Sequence, residues 1–514
     1  MSQATEQPGR DTLASRMVCA GCGWQAPDER PFSFRCERAD GDGPDGVADV
    51  DHVMTVALDV DSSSGPASGH TGFPHAGDAH PFVRFRGLHH AWRMARRRGL
   101  ADEAYVDMVR ALDERVARVW GHGFGITPYA RGDALARELG LPLDVAGRGG
   151  LWLKDETGNV AGSHKSRHLM GLAVYIEAAM RVGLAPPAVS GAAPRLAIAS
   201  CGNAALAAAV IAAGAGWPLD VFVPTWADAA IVERLRSLGA QVIPCPRSAA
   251  DPPGDPAYHR FVAAVAQGAL PFACQGNQNG LTIQGGQTLG WEIAAQHGVT
   301  DAPPLDRVFV QVGGGALASS VAQAFRVASA LGALPRLPAL HAVQSAGGYP
   351  LHRAWRRVAE AVYAHLGGGS AGLDDAALAR AIVERGSGAT ADAAGAAGAI
   401  EAEMAEARAH RSRYMWPWET EPRSVATGIL DDETYDWAAI VEAMLVTGGW
   451  PLVAEDADFV AARDAIGRAA GIETDATGAA GVAGLMVLGR AGGLAAGEHV
   501  AALVTGAARK APRG

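Results

Sequence analysis

Short apolar, β-branched runs alternate along most of the chain with longer Ala-rich stretches of helical character. The runs LWLKDE (151–156), RLAIAS (195–200), LDVFVP (219–224), QVIPC (241–245), RVFVQV (307–312), LHAVQ (340–344) and HVAALVT (499–505) are predicted strands. Strands separated by helices in this way specify an α/β protein whose parallel sheets are covered on both faces. Around residues 100–120, ADEAYVDMVRALDERVARVW carries apolar positions at helical spacing, and GFGITPYARGDALARELG then turns into a further helix. Residues 351–412 read as helices joined by a mobile surface connection, marked by HLGGGSAG and ATADAAGAAGA. Before the alternating part, residues 17–60 have a ribbon-like pattern, and SSSGPASGHTGFPHAGDAH (62–80) reads as a loop at a boundary.

At 514 residues the chain is expected to fold as two or three units. A hydrophobic fraction of 49% and a charged fraction of 19% are those of an ordinary globular protein and exclude a disordered or fibrous one. A net charge of -10 without a dense Lys/Arg stripe gives no footprint for nucleic acid, so the expected partner is a small molecule. The polar start MSQATEQPGRDTLASR and the lack of any run of about 18 apolar residues predict a cytoplasmic protein that does not enter a membrane. Six cysteines in a chain of this length do not make a disulfide framework. Three of them, Cys19, Cys22 and Cys36, form a CxxC knuckle plus a third thiol. A closed zinc site needs four ligands, and only Glu37, Asp40 or His52 follows to supply the last. The expectation is a ribbon that has lost its metal and folds by packing, with zinc on the three cysteines as the alternative.

The unusual residues gather at strand-to-helix junctions, where ligands of doubly wound sheets collect. In LWLKDETGNVAGSHKSR, Lys165 falls in the first turn of a helix, the end of the dipole that disfavours a cation. It is either an enclosed amine able to attack an aldehyde or a solvated lysine beside Arg167. In RLAIASCGNAALAAA, backbone amides after Ser200, Cys201 and Gly202 face an anion such as a carboxylate, and Asn203 offers an amide; the same residues also suit a helix N-cap. In RVFVQVGGGALASS, Gly313, Gly314 and Gly315 suit a phosphate nest. That motif also fits a dinucleotide fold, but the next strand ends near Gln344 and not in the acidic residue a ribose requires. At the end of HVAALVTG, Thr505 presents a hydroxyl.

The stretches TPYAR (127–131), KDETGNVAGSHKSR (154–167), SCGNAALAAA (200–209), LGAQVIPC (238–245), GQTLGWEIAAQ (286–296), VGGGAL (312–317), SVATGI (424–429), TDATGAAGVAGL (474–485) and LVTG (503–506) occur in the order found in one family. On these motifs the chain resembles the fold type II, tryptophan synthase β-like pyridoxal phosphate enzymes, and within them threonine synthase and threonine dehydratase. The resemblance implies two doubly wound parallel-sheet domains plus a small N-terminal ribbon. Their expected division is residues 1–80 for ribbon and linker, 81–165 with 290–514 for a large cofactor-binding domain, and 166–289 for a smaller mobile one. It further implies Lys165 as the Schiff-base and proton-transferring amine, Asn203 at the cofactor's 3′-hydroxyl and Gly313–Gly315 at its phosphate. Thr505 would meet the pyridine nitrogen, and Ser200, Cys201 and Gly202 the substrate carboxylate. The activity implied is elimination or replacement at the β or γ carbon of an amino acid, by a threonine synthase-like lyase or a threonine/serine ammonia-lyase, with a homodimer as a candidate assembly. A dinucleotide-dependent oxidoreductase and a non-catalytic binding protein are the competing classes. The chain departs from the family at His164, Cys201 and Ser166, where an aromatic, a hydroxyl and an acidic residue are usual. The acidic GILDDETYDW (428–437) would suit an amine or uncharged substrate if it lined the site.

Overall fold

The computed structural model describes residues 14–39, 49–60, 72–143, 149–184, 193–249, 251, 254–386 and 395–508. Asp40, most of the 62–80 loop and the first half of ATADAAGAAGA lie outside them.

Among the described residues twelve strands form three sheets: β1 (Ser15–Cys19), β2 (Met54–Leu58), β3 (Tyr129–Arg131), β4 (Gly150–Asp155), β5 (Leu196–Ala199), β6 (Leu219–Val223), β7 (Gln241–Pro244), β8 (Leu270–Pro271), β9 (Arg307–Gln311), β10 (Ala339–Ser345), β11 (Leu452–Ala454) and β12 (His499–Val504). Each of the seven strands expected from the apolar runs is present; β3, β8 and β11, of two or three residues, are too short to give a periodic signal. β1 and β2 pair antiparallel as a ribbon. A six-stranded sheet has the order β11-β10-β9-β12-β4-β3, and a four-stranded sheet the order β7-β6-β5-β8. All their pairings are parallel except β3 on β4.

The central strands are apolar throughout because both faces are covered. On β9 and β12, Val308, Val310, Ala501 and Leu503 point to one core, and Phe309, Val500, Ala502 and Val504 to the other, the period-2 alternation of a strand. A third core joins the four-stranded sheet to the ribbon through Phe34, Met54 and the helix Lys165–Arg181.

That helix is held at unusually short range. It crosses the helix Leu281–Gly298 where a Cβ on Gly171 would lie 2.5 Å from Gly285 Cα, so only glycine permits the approach. Beneath its first turn lies a buried ionic quartet. Arg167 donates to Glu156 at 2.7 and 2.9 Å and to Glu292 at 2.6 and 3.0 Å, and Lys154 donates to Glu292 at 2.6 Å. All four residues are fully buried. The two cations balance the two carboxylates, which is what makes burying them tolerable. Burial pushes the Glu156 carboxyl up, but the Arg167 guanidinium outweighs it and holds that carboxyl below its ordinary value. Arg167 is thus a buried anchor of the lysine-bearing helix. Among the described residues no helix is long and apolar enough to cross a membrane.

Candidate active site

Three chain segments converge on Gly506, at the carboxyl end of β12. The turn before Lys165 is tied there: Ser163 bridges Gly506, and the His164 N–H donates to the Thr505 carbonyl at 3.1 Å. Gly162 accepts from the Ala507 N–H at 2.8 Å. A Cβ placed on Gly506 would sit 3.4 Å from Asn203 Nδ2 and 3.5 Å from Ser163 Cβ. The SCGN loop and the lysine turn therefore flank one backbone position. Asn203 opens the helix Asn203–Ala215, whose cap is Gly202 with no side-chain cap hydrogen bond, so Asn203 is not an N-cap; Ser200 Oγ accepts from the Gly202 N–H at 3.3 Å. Thr505, almost fully buried, hydrogen-bonds the Gln311 carboxamide at the end of β9.

Gln311 leads into the glycine turn. Gly315 has φ of +98° and caps the helix Ala316–Ala330, a conformation and an approach that suit backbone amides to an anion. The Asp431 carboxyl is packed directly against this turn. Room for side chains is lacking: a Cβ on Gly313 would collide with Asp431, and one on Gly314 would lie 2.8 Å from the Tyr435 ring. Residues 431–436 wrap the turn further, with Thr434 Oγ1 donating to the Gly313 carbonyl and the Asp436 N–H to the Gly314 carbonyl, both at 3.0 Å. The glycine turn, the half-buried Lys165 and the Asn203 amide are the group types that a phosphorylated aldehyde with ring hydroxyl and nitrogen groups would need.

Lys165 is the first residue of its helix and half-buried. Its charge reaches Asp431, Asp436, Cys274, His164 and His168. Burial pushes the Asp436 carboxyl up to about 7, with the Gly276 N–H and Lys165 pulling the other way, and raises Asp431 too. Burial and the adjacent Lys165 depress His164 well below its usual value, and His168 falls to about 3, so both imidazoles are neutral at pH 7. Burial pushes the Cys274 thiol up to about 11, which keeps it protonated.

The lysine turn, Asn203 and Thr505 thus meet at Gly506, and Thr505 bonds Gln311, which runs into Gly313–Gly315, with Ser200, Cys201 and Gly202 half-buried on the loop after β5. Gln311, Cys274 and the direct contact of Asp431, Thr434 and Asp436 with the glycine turn were not anticipated. The acidic run was visible in the sequence, but nothing local says which loop it covers. The strand that follows the glycine helix, β10, carries no acidic residue, contrary to what a dinucleotide site requires.

A family profile described as pyridoxal-phosphate dependent enzyme matches residues 122–402. A threonine synthase of Methanosarcina acetivorans is 24% identical over 391 residues, covering 76% of each chain. Two solved structures share the fold at a TM-score of 0.50. Threonine deaminase isoform 2 from Solanum lycopersicum, at 15% identity, covers 80% of this chain and 91% of its own. Maize serine racemase, at 18% identity, covers 79% and 94%.

Proposed function

Because the chain belongs to the pyridoxal-phosphate-dependent enzyme family and takes pyridoxal 5′-phosphate as its cofactor, we propose that it catalyses elimination or replacement at the β or γ carbon of an amino acid, as a threonine synthase-like lyase with Lys165 as the covalent attachment point. The observation that carries the proposal is the convergence of the lysine turn, Asn203 and Thr505 around Gly506, one residue pair from the strand that leads into the glycine turn. Gly313–Gly315 would hold the phosphate, Asn203 the ring hydroxyl and Thr505 the pyridine nitrogen, while Ser200–Gly202 would receive the substrate carboxylate.

When bound, the cofactor supplies an electron sink for the pair left on the substrate Cα. The released Nζ of Lys165 takes the Cα proton and can return one later in the reaction. Thr505 and Gln311 are both neutral, and such a pair does not keep the pyridine nitrogen protonated as a carboxylate would. That favours elimination and replacement over transamination. The division into a large unit (81–165 and 290–514) and a smaller one (166–289) is supported by the two parallel sheets. It places the glycine turn and Thr505 on the larger unit and the SCGN loop on the smaller, so that closure of one on the other would exclude water.

A second reading, an ammonia-lyase acting on threonine, serine or a related amino acid, is favoured by Asp431 and Asp436 beside Lys165. Carboxyls there repel a phosphorylated side chain and accept an uncharged or amine-bearing one.

The test is a visible spectrum of the purified protein before and after addition of a panel of amino acids, together with product analysis. Formation of threonine and phosphate from O-phosphohomoserine marks the synthase; a 2-oxo acid with ammonia marks the ammonia-lyase; bound cofactor without turnover marks a binding protein. The absorption band of the enzyme-bound cofactor is expected to vanish in Lys165→Ala. A band that persists there overturns the role of Lys165.

A further inference from the structure

The N-terminal ribbon brings together four side chains that the chemistry at Gly506 does not use. Cys19 ends β1, and its backbone pairs with Met54 at the start of β2, which sets His52 beside it. The knuckle after Cys19 closes on itself, with the Cys19 N–H donating to the Trp24 carbonyl at 2.7 Å and the Gly23 N–H to the Cys19 carbonyl at 3.0 Å. Gly23 takes a φ of +72°, and a Cβ on Gly21 would collide with the Asp51 carbonyl. Cys36 arrives from a separate segment that is seated edge-on against Tyr175 by Phe32 and Phe34. As a result the Cys19, Cys22 and Cys36 thiols and a His52 ring nitrogen all lie within 4.8 Å of one another.

Two of the spacings match the edges of a zinc tetrahedron. Zinc bonds of about 2.3 Å to sulfur and about 2.05 Å to nitrogen give edges of about 3.8 Å between sulfurs and about 3.6 Å from sulfur to nitrogen. Cys22 Sγ lies 3.6 Å from Cys36 Sγ, and Cys19 Sγ lies 3.5 Å from His52 Nδ1. A disulfide would bring two sulfurs to about 2.05 Å, so the cysteines are arranged around a centre and not paired. Of the carboxylates that could have served as fourth ligand, Glu37 is engaged by Arg30.

We propose that Cys19, Cys22, Cys36 and His52 bind one structural zinc ion. With four protein ligands the site is closed to substrate, and its role is to fix the ribbon. The effect reaches the active site through the residue next to His52. The Asp51 N–H donates to the Arg408 carbonyl at 2.8 Å, and its carboxylate lies 3.4 Å from Arg411, which also pairs with Glu433 in the acidic segment around the glycine turn.

The test is metal analysis of the full-length protein purified without a metal-chelating step. About one zinc per chain is expected in the native protein and in a Cys245→Ser control, with loss of most of it in Cys22→Ser and His52→Ala. His52→Cys, which restores a four-ligand set, is expected to retain zinc. Should the ligand variants fail to fold, cobalt replacement in the native protein decides: visible bands of tetrahedral cobalt with thiolate ligands support the site. Zinc well below one per chain, zinc unchanged by the ligand substitutions, a native Cys22–Cys36 disulfide, or a cobalt spectrum without thiolate bands would each overturn it.

Discussion

Replacing Arg167 by methionine removes six buried hydrogen bonds while keeping a long apolar stem in its place. The guanidinium makes four hydrogen bonds to Glu156 and Glu292, one to Thr288 at 3.1 Å and one to Thr127 at 3.0 Å. Without it, two buried carboxylates face Lys154 alone, and the quartet changes from neutral to a net charge of one. Breaking a buried ion pair from one side costs about 3–5 kcal/mol, because the partner is left charged and desolvated. With a urea slope of about 3 kcal/mol/M, the unfolding midpoint falls by roughly 1–2 M, read by tryptophan fluorescence of the cofactor-free protein. Charge balance requires that Arg167→Met combined with Glu156→Gln, which returns the quartet to neutrality, be more stable than the sum of the two single effects. The coupling should recover at least about 1 kcal/mol. A single-variant loss below about 1 kcal/mol, or strictly additive effects, would refute the view that charge balance in this quartet holds the lysine-bearing helix in place.

Two further outcomes follow from the acidic segment. The Asp431 carboxyl packs against the glycine turn, so in its ionised form it repels a phosphate seated there. Asp431→Asn is therefore expected to tighten pyridoxal phosphate about tenfold or more in an equilibrium titration, and weaker binding would mean that the carboxylate helps to hold the cofactor. Asp436, raised to about 7 from an ordinary value of 3.8, binds its proton more tightly in the folded than in the unfolded chain. Its stabilising contribution is complete below pH of about 4 and is lost as pH rises through about 7, so urea midpoints should fall over that window and Asp436→Asn should flatten the fall; an identical slope in the variant would count against the burial argument.

The strand runs, the glycine turn and the lysine at a helix start are properties of short segments, and they were legible without a fold. An apolar run of five or six residues has few alternatives once helices flank it, and consecutive glycines announce a backbone that must come close to something. Thus Lys165, Asn203, Gly313–Gly315 and Thr505 could be picked out one junction at a time, and the order of the matched motifs joined them into one family. What the sequence could not contain was which distant segments touch. Lys154 and Glu292 lie 138 residues apart and Thr505 and Gln311 lie 194 apart, so their pairing exists only after the sheet order is set. His52 becomes the neighbour of Cys19 only through the β1–β2 register, and the acidic run meets the glycine turn only because Asp436 and Thr434 hydrogen-bond its carbonyls. Local propensity acts over a few residues along the chain, whereas burial, charge balance and ligand geometry act through space; the former chose the elements, and the latter chose their partners.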